Sequence, residues 1–256
     1  KEKKQSKYFI ISISPYTFIA CLLLFISNVR PIVYLRSDGY EEYKSIIGIL
    51  GVFVYHIMFS ITSVISSLVS CRDHILRKKN GKIVSPSQLT NTWFKNTTKS
   101  NLDKARLLYV GRIRVEKGIF SFLKLFKNLK KDINLSIVTT KIDQSKIDNL
   151  ENISCIDTQS EESLIKTYDK NNIFILPSFT EGHPQVLDEA LARLRPVIVF
   201  DEIEHVKRDR EGVFICKRNI QELNSIIEYI LKNYSQIQSK IKTNNLPNRE
   251  SFIGEL

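Results

Sequence analysis

The chain has 256 residues with 38 Lys+Arg against 27 Asp+Glu, a net charge of +11, and its 43% hydrophobic and 25% charged content excludes wholesale disorder. Only 7 Pro and 9 Gly exclude fibrous and low-complexity classes, and the length suits one large domain or two of about 100–150 residues. The 4 cysteines (Cys21, Cys71, Cys155, Cys216) stand far apart without a CxxC pair, which excludes a sequence-local zinc site and points to a reducing compartment.

In chain order, the basic excess comes first. Residues 1–100 hold 14 Lys+Arg and 5 Asp+Glu, whereas 101–256 hold 24 and 22. A basic first part is compatible with nucleic acid, anionic lipid or an acidic substrate. It also contains the most apolar stretches, since no charged residue occurs from Phe9 to Val29 or from Ser45 to Cys71. Each is long enough to span a bilayer, which takes about 20 residues, and Lys1–Val29 has the outline of a signal sequence. A soluble α/β reading fits the details better. Phe9–Ser14 reads as a strand stopped at Pro15, followed by a helix over Tyr16–Ser27 with proline in its first turn. Pro31–Leu35 reads as a strand, Arg36–Glu42 as a loop, Ser45–Ile61 as a helix and Ser66–Ser70 as a strand. Such spacing is that of a buried parallel sheet. Arg77–Gly81 is a basic turn, Lys82–Val84 a short strand, and polar Ser85–Ala105 reads as an interdomain linker.

Beyond it the alternation sharpens. Strands are expected at Arg106–Ile113, Ile133–Thr139, Ile153–Asp157, Ile173–Pro177 and Pro196–Phe200. Helices are expected at Lys117–Lys130, Glu161–Lys170, Pro184–Arg193, Gln221–Leu231 and Tyr234–Ile241. Five strands alternating with helices predict a doubly wound parallel sheet, whose ligands bind at the carboxyl ends of the strands.

Two clusters lie at such ends. In Val110-Gly111-Arg112-Ile113-Arg114-Val115-Glu116-Lys117-Gly118, glycine permits close backbone approach, and an Arg fork with a Lys point charge suits a diphosphate; the plain alternative is a solvated basic loop. In the second, Pro177-Ser178-Phe179-Thr180-Glu181-Gly182-His183-Pro184-Gln185-Val186-Leu187-Asp188-Glu189, a helix N-terminus offers backbone amides to phosphate. Glu189 stands one to two turns on, where a carboxylate can accept from a sugar diol. The plain alternative is that Glu181 complements the helix dipole while Glu189 is a surface charge.

Together, VGRIRVEKG and NIFILPSFTEGHPQVLDEALARLRPVIVF resemble the retaining GT-B glycosyltransferases of family 4, the glycosyl transferases group 1. The resemblance covers 106–200 well, the C-terminal helices loosely and 8–88 by element pattern only. It implies two Rossmann-like doubly wound domains, a partial acceptor-side one over 1–88 and a nucleotide-sugar donor domain over 89–256. It implies transfer of a sugar, with retention, from a UDP- or GDP-sugar to a glycan or lipid-linked acceptor, without a metal. Arg112 and Lys117 would hold the diphosphate behind Gly111. Glu181 would contact the donor sugar, Gly182 and the following amides of His183, Gln185 and Val186 would line the phosphate with Pro184 in the same turn, and Glu189 would bind the ribose diol. Arg112, Lys117 and Glu181 are the expected catalytic set.

There are departures. Thr139-Thr140-Lys141 stand where the family has a glycine pair, and Asp201-Glu202-Ile203-Glu204-His205 where it has glycines before a glutamate. The first domain is short and the chain starts at Lys1, so a truncated or fragmentary transferase lacking about a hundred residues is expected by usual domain size. Asp38 is a weaker acceptor-side candidate or an ordinary Asp-Gly turn. His56 is expected as a packed core histidine, His183 as a candidate donor to a phosphate or to the acceptor, and His74 and His205 carry no signal. The expected setting is surface polysaccharide synthesis, in the cytoplasm or peripheral on an anionic inner membrane face. A noncatalytic nucleotide-sugar-binding or scaffold protein is the second reading. A nucleic-acid binder ranks last, lacking an arginine-rich helix or aromatic–basic platform.

Overall fold

The computed structural model describes residues 7–130, 132–139, 152–158 and 160–255. They form two compact units, one reaching Ser87 and including the segment from Arg249, the other spanning Gln88–Asn248.

The first unit is a four-stranded parallel sheet in the order β1-β2-β3-β4, from Phe9–Ile11, Ile32–Leu35, Ser67–Ser70 and Gly81–Ile83. Helix α1 (Pro15–Ile26) starts where Ser14 and Thr17 form a reciprocal capping box ahead of Pro15, satisfying donors that have no intrahelical acceptor. The single helix expected over Ser45–Ile61 is instead two. Asp38 caps α2 (Gly39–Ile47), accepting from Tyr40 N. Gly48, at φ 73°, then breaks the chain before α3 (Ile49–Ile65), a backbone conformation that glycine adopts without steric cost. Much of the segment expected as a loop is therefore helix.

Helix α3 buries Tyr55, Met58, Phe59, Thr62 and Ile65 on one side, while Ile49, Phe53 and Val64 remain exposed. His56, one residue and about 100° round the helix from Tyr55, lies on the exposed side, and its Nδ1 meets the Tyr40 hydroxyl at 2.9 Å. It is not a core histidine. No helix among the described residues is long and apolar enough to cross a membrane. Helix α9 (Arg249–Glu255) places Phe252 edge-on to Tyr34, so the end of the chain belongs to this unit and not to a domain 89–256.

The second unit is a six-stranded parallel sheet in the order β10-β9-β8-β5-β6-β7. Its strands are β5 (Arg106–Val110), β6 (Asn134–Val138), β7 (Ile153–Ile156), β8 (Ile173–Leu176), β9 (Val197–Phe200) and β10 (Val213–Cys216). The last, four residues at a sheet edge, was not expected from the sequence. Helices α4 (Ile119–Phe126), α5 (Glu161–Lys170), α6 (Gln185–Ala192), α7 (Ile220–Lys232) and α8 (Tyr234–Ile241) complete the unit. Every residue of β8 and β9 is buried, as parallel strands covered on both faces must be.

Ser85–Ala105 is not a free linker. Leu89, Trp93 and Ala105 belong to the second unit's core, and the buried Arg193 guanidinium donates to the carbonyls of Trp93, Lys95 and Asn96.

Candidate active site

Strand β5 pairs with β6 on one side and β8 on the other, so strand order reverses between β5 and β8. A crevice opens outside the carboxyl ends of strands at such a switch point. The turns following these two strands carry both clusters singled out in the sequence.

What draws the turns together is Gly118. Its φ is +64°, and a Cβ there would stand 1.8 Å from the Pro177 carbonyl oxygen, which no side chain tolerates. The close approach lets Phe179 N donate to Glu116 O at 3.0 Å. Lys117 is thereby delivered to Glu181: Nζ to Oε1 is 2.7 Å, and the same oxygen accepts from Ser178 Oγ at 2.6 Å. The Glu181 side chain is only 9% exposed. A buried carboxylate of this kind needs compensation by charge and hydrogen bonds, and Lys117 with Ser178 supplies both.

Gly182 is exposed, and a Cβ on it would meet nothing within 4 Å, so packing does not require the glycine. Pro184 is the N-cap of α6 and brings no side-chain cap, leaving the helix's first turn without side-chain capping. Gln185 turns back, its Oε1 accepting from Gln88 N at 3.1 Å. Val186 is half-buried against the core. Glu189 accepts from the Tyr168 hydroxyl at 2.8 Å. Burial, assisted by Asp188 and Glu161 and opposed by that hydrogen bond, pushes its pKa up to about 7. Arg112 is exposed, its carbonyl accepting from Tyr109 Oη at 2.8 Å.

Several residues beside the site had no signal in the sequence. Arg218, after β10, lies over the rings of Phe179 and Phe200 at 4.3 and 4.1 Å, donates to Pro177 O at 3.0 Å, and grips Glu202 through two nitrogens. That grip holds the Glu202 carboxyl below its ordinary pKa. His205 Nε2 sits 2.8 Å from Glu181 O. The 201–205 segment thus meets the 177–181 turn directly through His205, and indirectly through Arg218, which pairs with Glu202 and donates to Pro177 O. Asp38 is engaged structurally, capping α2 and pairing with Arg77 at 2.6 Å. Thr139 is buried; Thr140 and Lys141 lie outside the described residues. No group of His, Cys, Asp and Glu able to hold a metal ion occurs among the described residues.

The sequence profile of the family described as "Glycosyl transferases group 1" matches residues 91–246. The chain belongs to this family. A curated relative, an uncharacterized glycosyltransferase of Haemophilus influenzae, is 28% identical over 179 residues, covering 63% of this chain and 50% of its own length. The chain thus spans about half the length of the curated relative it matches.

Among solved structures, HepE of Anabaena in complex with UDP and glucose superimposes with a TM-score of 0.66 at 12% identity, covering 92% of this chain and 71% of that one. A glycosyltransferase of Rickettsia africae gives 0.63 at 17%, covering 95% and 78%. WaaG, a glycosyltransferase of lipopolysaccharide biosynthesis, gives 0.64 at 13%, covering 93% and 82%. The family and these likenesses identify a GT-B glycosyltransferase fold built on two parallel-sheet units.

Proposed function

We propose that this group 1 glycosyltransferase moves a sugar, with retention, from a UDP- or GDP-sugar to a glycan or lipid-linked acceptor in surface polysaccharide synthesis. The observation that carries the reading is the Lys117–Glu181 pair at the switch point of the second sheet, 2.7 Å long and next to the start of α6. HepE, of the same fold, binds UDP and glucose in its crystal. In the reaction the anomeric C–O bond to the diphosphate breaks, and the nucleoside diphosphate leaves with the electron pair. The acceptor hydroxyl adds to the same face, and its proton passes to the departing phosphate. Charge develops on that phosphate, and the Lys117 ammonium, Arg112 and the first-turn amides of α6 stabilise it where it forms. Glu181 orients Lys117 and accepts from hydroxyls of the donor sugar. Glu189 accepts from the ribose diol. No metal is invoked.

The exposed apolar residues of α1 and α3, among them Tyr16, Ile26, Ile49 and Phe53, and the basic excess of residues 1–100 support peripheral contact with an anionic membrane on its cytoplasmic face. Cosedimentation with phosphatidylglycerol vesicles but not phosphatidylcholine vesicles is the expected result; equal pelleting with neither excludes it. A second reading is a noncatalytic nucleotide-sugar binder.

Calorimetry with UDP and GDP, followed by turnover of the matching sugar donors by the full chain, separates the two. Binding with donor hydrolysis or transfer supports the transferase; binding without either under any acceptor supports the binder. Absence of nucleotide binding removes both.

Glu189 supplies a further expected result. With its pKa near 7 in the unliganded fold, the carboxyl must shed a proton to accept two hydroxyl hydrogen bonds. Affinity for an intact nucleotide sugar, whose diphosphate does not titrate in this range, should therefore rise between about pH 6 and pH 8. Glu189→Gln should flatten the profile. The linked effect on stability has the opposite sense. A raised acid contributes stability that is fully present below the unfolded value of about 4.3 and is lost as pH rises through about 7. Titration calorimetry and thermal denaturation across that range check both.

A further inference from the structure

Asp188, in the first turn of α6, is a carboxylate with no exposed surface. Arg210, from the turn that leads into β10, holds it as a fork, Nε to Oδ1 at 2.7 Å and Nη2 to Oδ2 at 3.0 Å. On the other side of the same carboxylate, Oδ2 lies 3.5 Å from Nε2 of His183, whose side chain is 7% exposed. A buried line of side chains therefore runs from the 207–212 turn, through the helix, to the residue just before the helix starts. Burying a carboxylate is expensive, and an apolar residue of similar volume fills such a position at no electrostatic cost. The charge is explained by what it fixes. Arg210 neutralises and orients Asp188, and the oriented carboxylate in turn faces the His183 ring.

His183 is covalently part of the turn between Glu181 and α6, so a fixed ring fixes the backbone path of Gly182 and the direction of the first-turn amides. A misplacement of a positioning group by about 1 Å is enough to cost 10²-fold in a binding or reacting geometry. We propose that Arg210 is a positioning residue for the donor, acting through Asp188 on His183 and hence on the phosphate-receiving turn over 182–185. This rests on the donor-site reading given above.

The test uses UDP and GDP binding by the full chain, whichever nucleotide the wild type takes, together with donor kinetics and melting temperature. Arg210→Met should raise nucleotide Kd about 10-fold and lower donor kcat/KM by at least as much, the size expected for a coupled contact. Arg210→Lys should restore part of that loss. Because Arg210→Met alone leaves Asp188 without its counter-charge, the double variant Asp188→Leu/Arg210→Met is the decisive form. It removes the uncompensated charge and should regain melting temperature while keeping the weakened Kd, since no carboxylate then faces the His183 ring. In a His183→Ala background, adding Arg210→Met should change Kd by less than about twofold. The proposal is overturned if the double variant recovers wild-type Kd along with its stability, or if Arg210→Met weakens binding equally with and without His183. A wild type that binds neither nucleotide overturns the donor-site reading itself, and this proposal with it, an outcome distinct from either of those.

Discussion

Lys117→Met should lower kcat for sugar transfer by about 100- to 1,000-fold, the range found when one electrostatic group is removed from a site where charge develops. The donor KM should change far less, because the cation matters most as the diphosphate departs. The variant should fold. Lys117 is 24% exposed on its side chain, so its loss costs more than the roughly 1 kcal/mol of a surface pair but less than the roughly 3–5 kcal/mol of a fully buried one. Glu181 is buried, but Ser178 Oγ still donates to it at 2.6 Å, so the carboxylate is not stranded. Glu181→Gln is the matching experiment from the other side, since it keeps shape and hydrogen-bonding capacity while removing the negative charge that orients Lys117. Single-turnover measurements on both variants separate chemistry from binding. If Lys117→Met leaves kcat within about threefold while raising KM 100-fold, the ammonium acts on the bound donor and not on the leaving group. Full activity in both variants would remove the pair from the mechanism.

The two turns that carry Lys117 and Glu181 were legible because both follow apolar runs, RLLYV and IFIL, whose composition marks buried parallel strands, but the ion pair between them was not. Alternation then places the ends of β5 and β8 on the same edge of the sheet. Gly118 was present in the motif, although the reason for it is tertiary: its hydrogen atom faces Pro177 O from a turn 59 residues away in sequence. What could not be read shares a physical cause. Arg210 reaches Asp188 across 22 residues, Arg218 reaches Pro177 across 41, and Arg193 reaches Trp93 across 100. Such pairings have no period and no local propensity, because a long side chain can meet a carbonyl or carboxylate wherever the fold brings one. Strand β10 was missed for a related reason. Its four residues occupy a sheet edge where Phe214 and Ile215 are not fully buried, and no adjoining proline set VFIC apart as one did for IFIL and for VIVF. Gly48 was legible as a residue but not as a break, since the apolar run on either side of it continues without interruption.

Arg193→Met should destabilise the second unit by about 3–5 kcal/mol, the cost of breaking a buried ion pair by removing one partner. That is a large part of the roughly 5–15 kcal/mol that holds a domain together. The guanidinium is 1% exposed. It gives Asp169 two charge-assisted bonds, from Nε at 2.9 Å and Nη2 at 2.6 Å, and it satisfies the carbonyls of Trp93, Lys95 and Asn96 at 2.9, 2.7 and 3.0 Å. Methionine fills much of the volume but donates nothing, so three carbonyls and a carboxylate lose their donors together. Arg195, 3.4 Å from the same carboxylate, limits the electrostatic part of the loss without replacing the carbonyl bonds. Arg193→Lys should recover little, because one ammonium cannot span a carboxylate and three carbonyls. Urea unfolding read by Trp93, the 1 tryptophan in the chain, reports on the affected segment directly. Its ring lies 5.5 Å from Tyr168, edge to face, and its emission should move to the red in the variant at urea concentrations where the wild type is still folded. An unchanged midpoint and unchanged emission would mean that residues 89–105 contribute nothing to the unit's stability and behave as the linker their polar composition suggests.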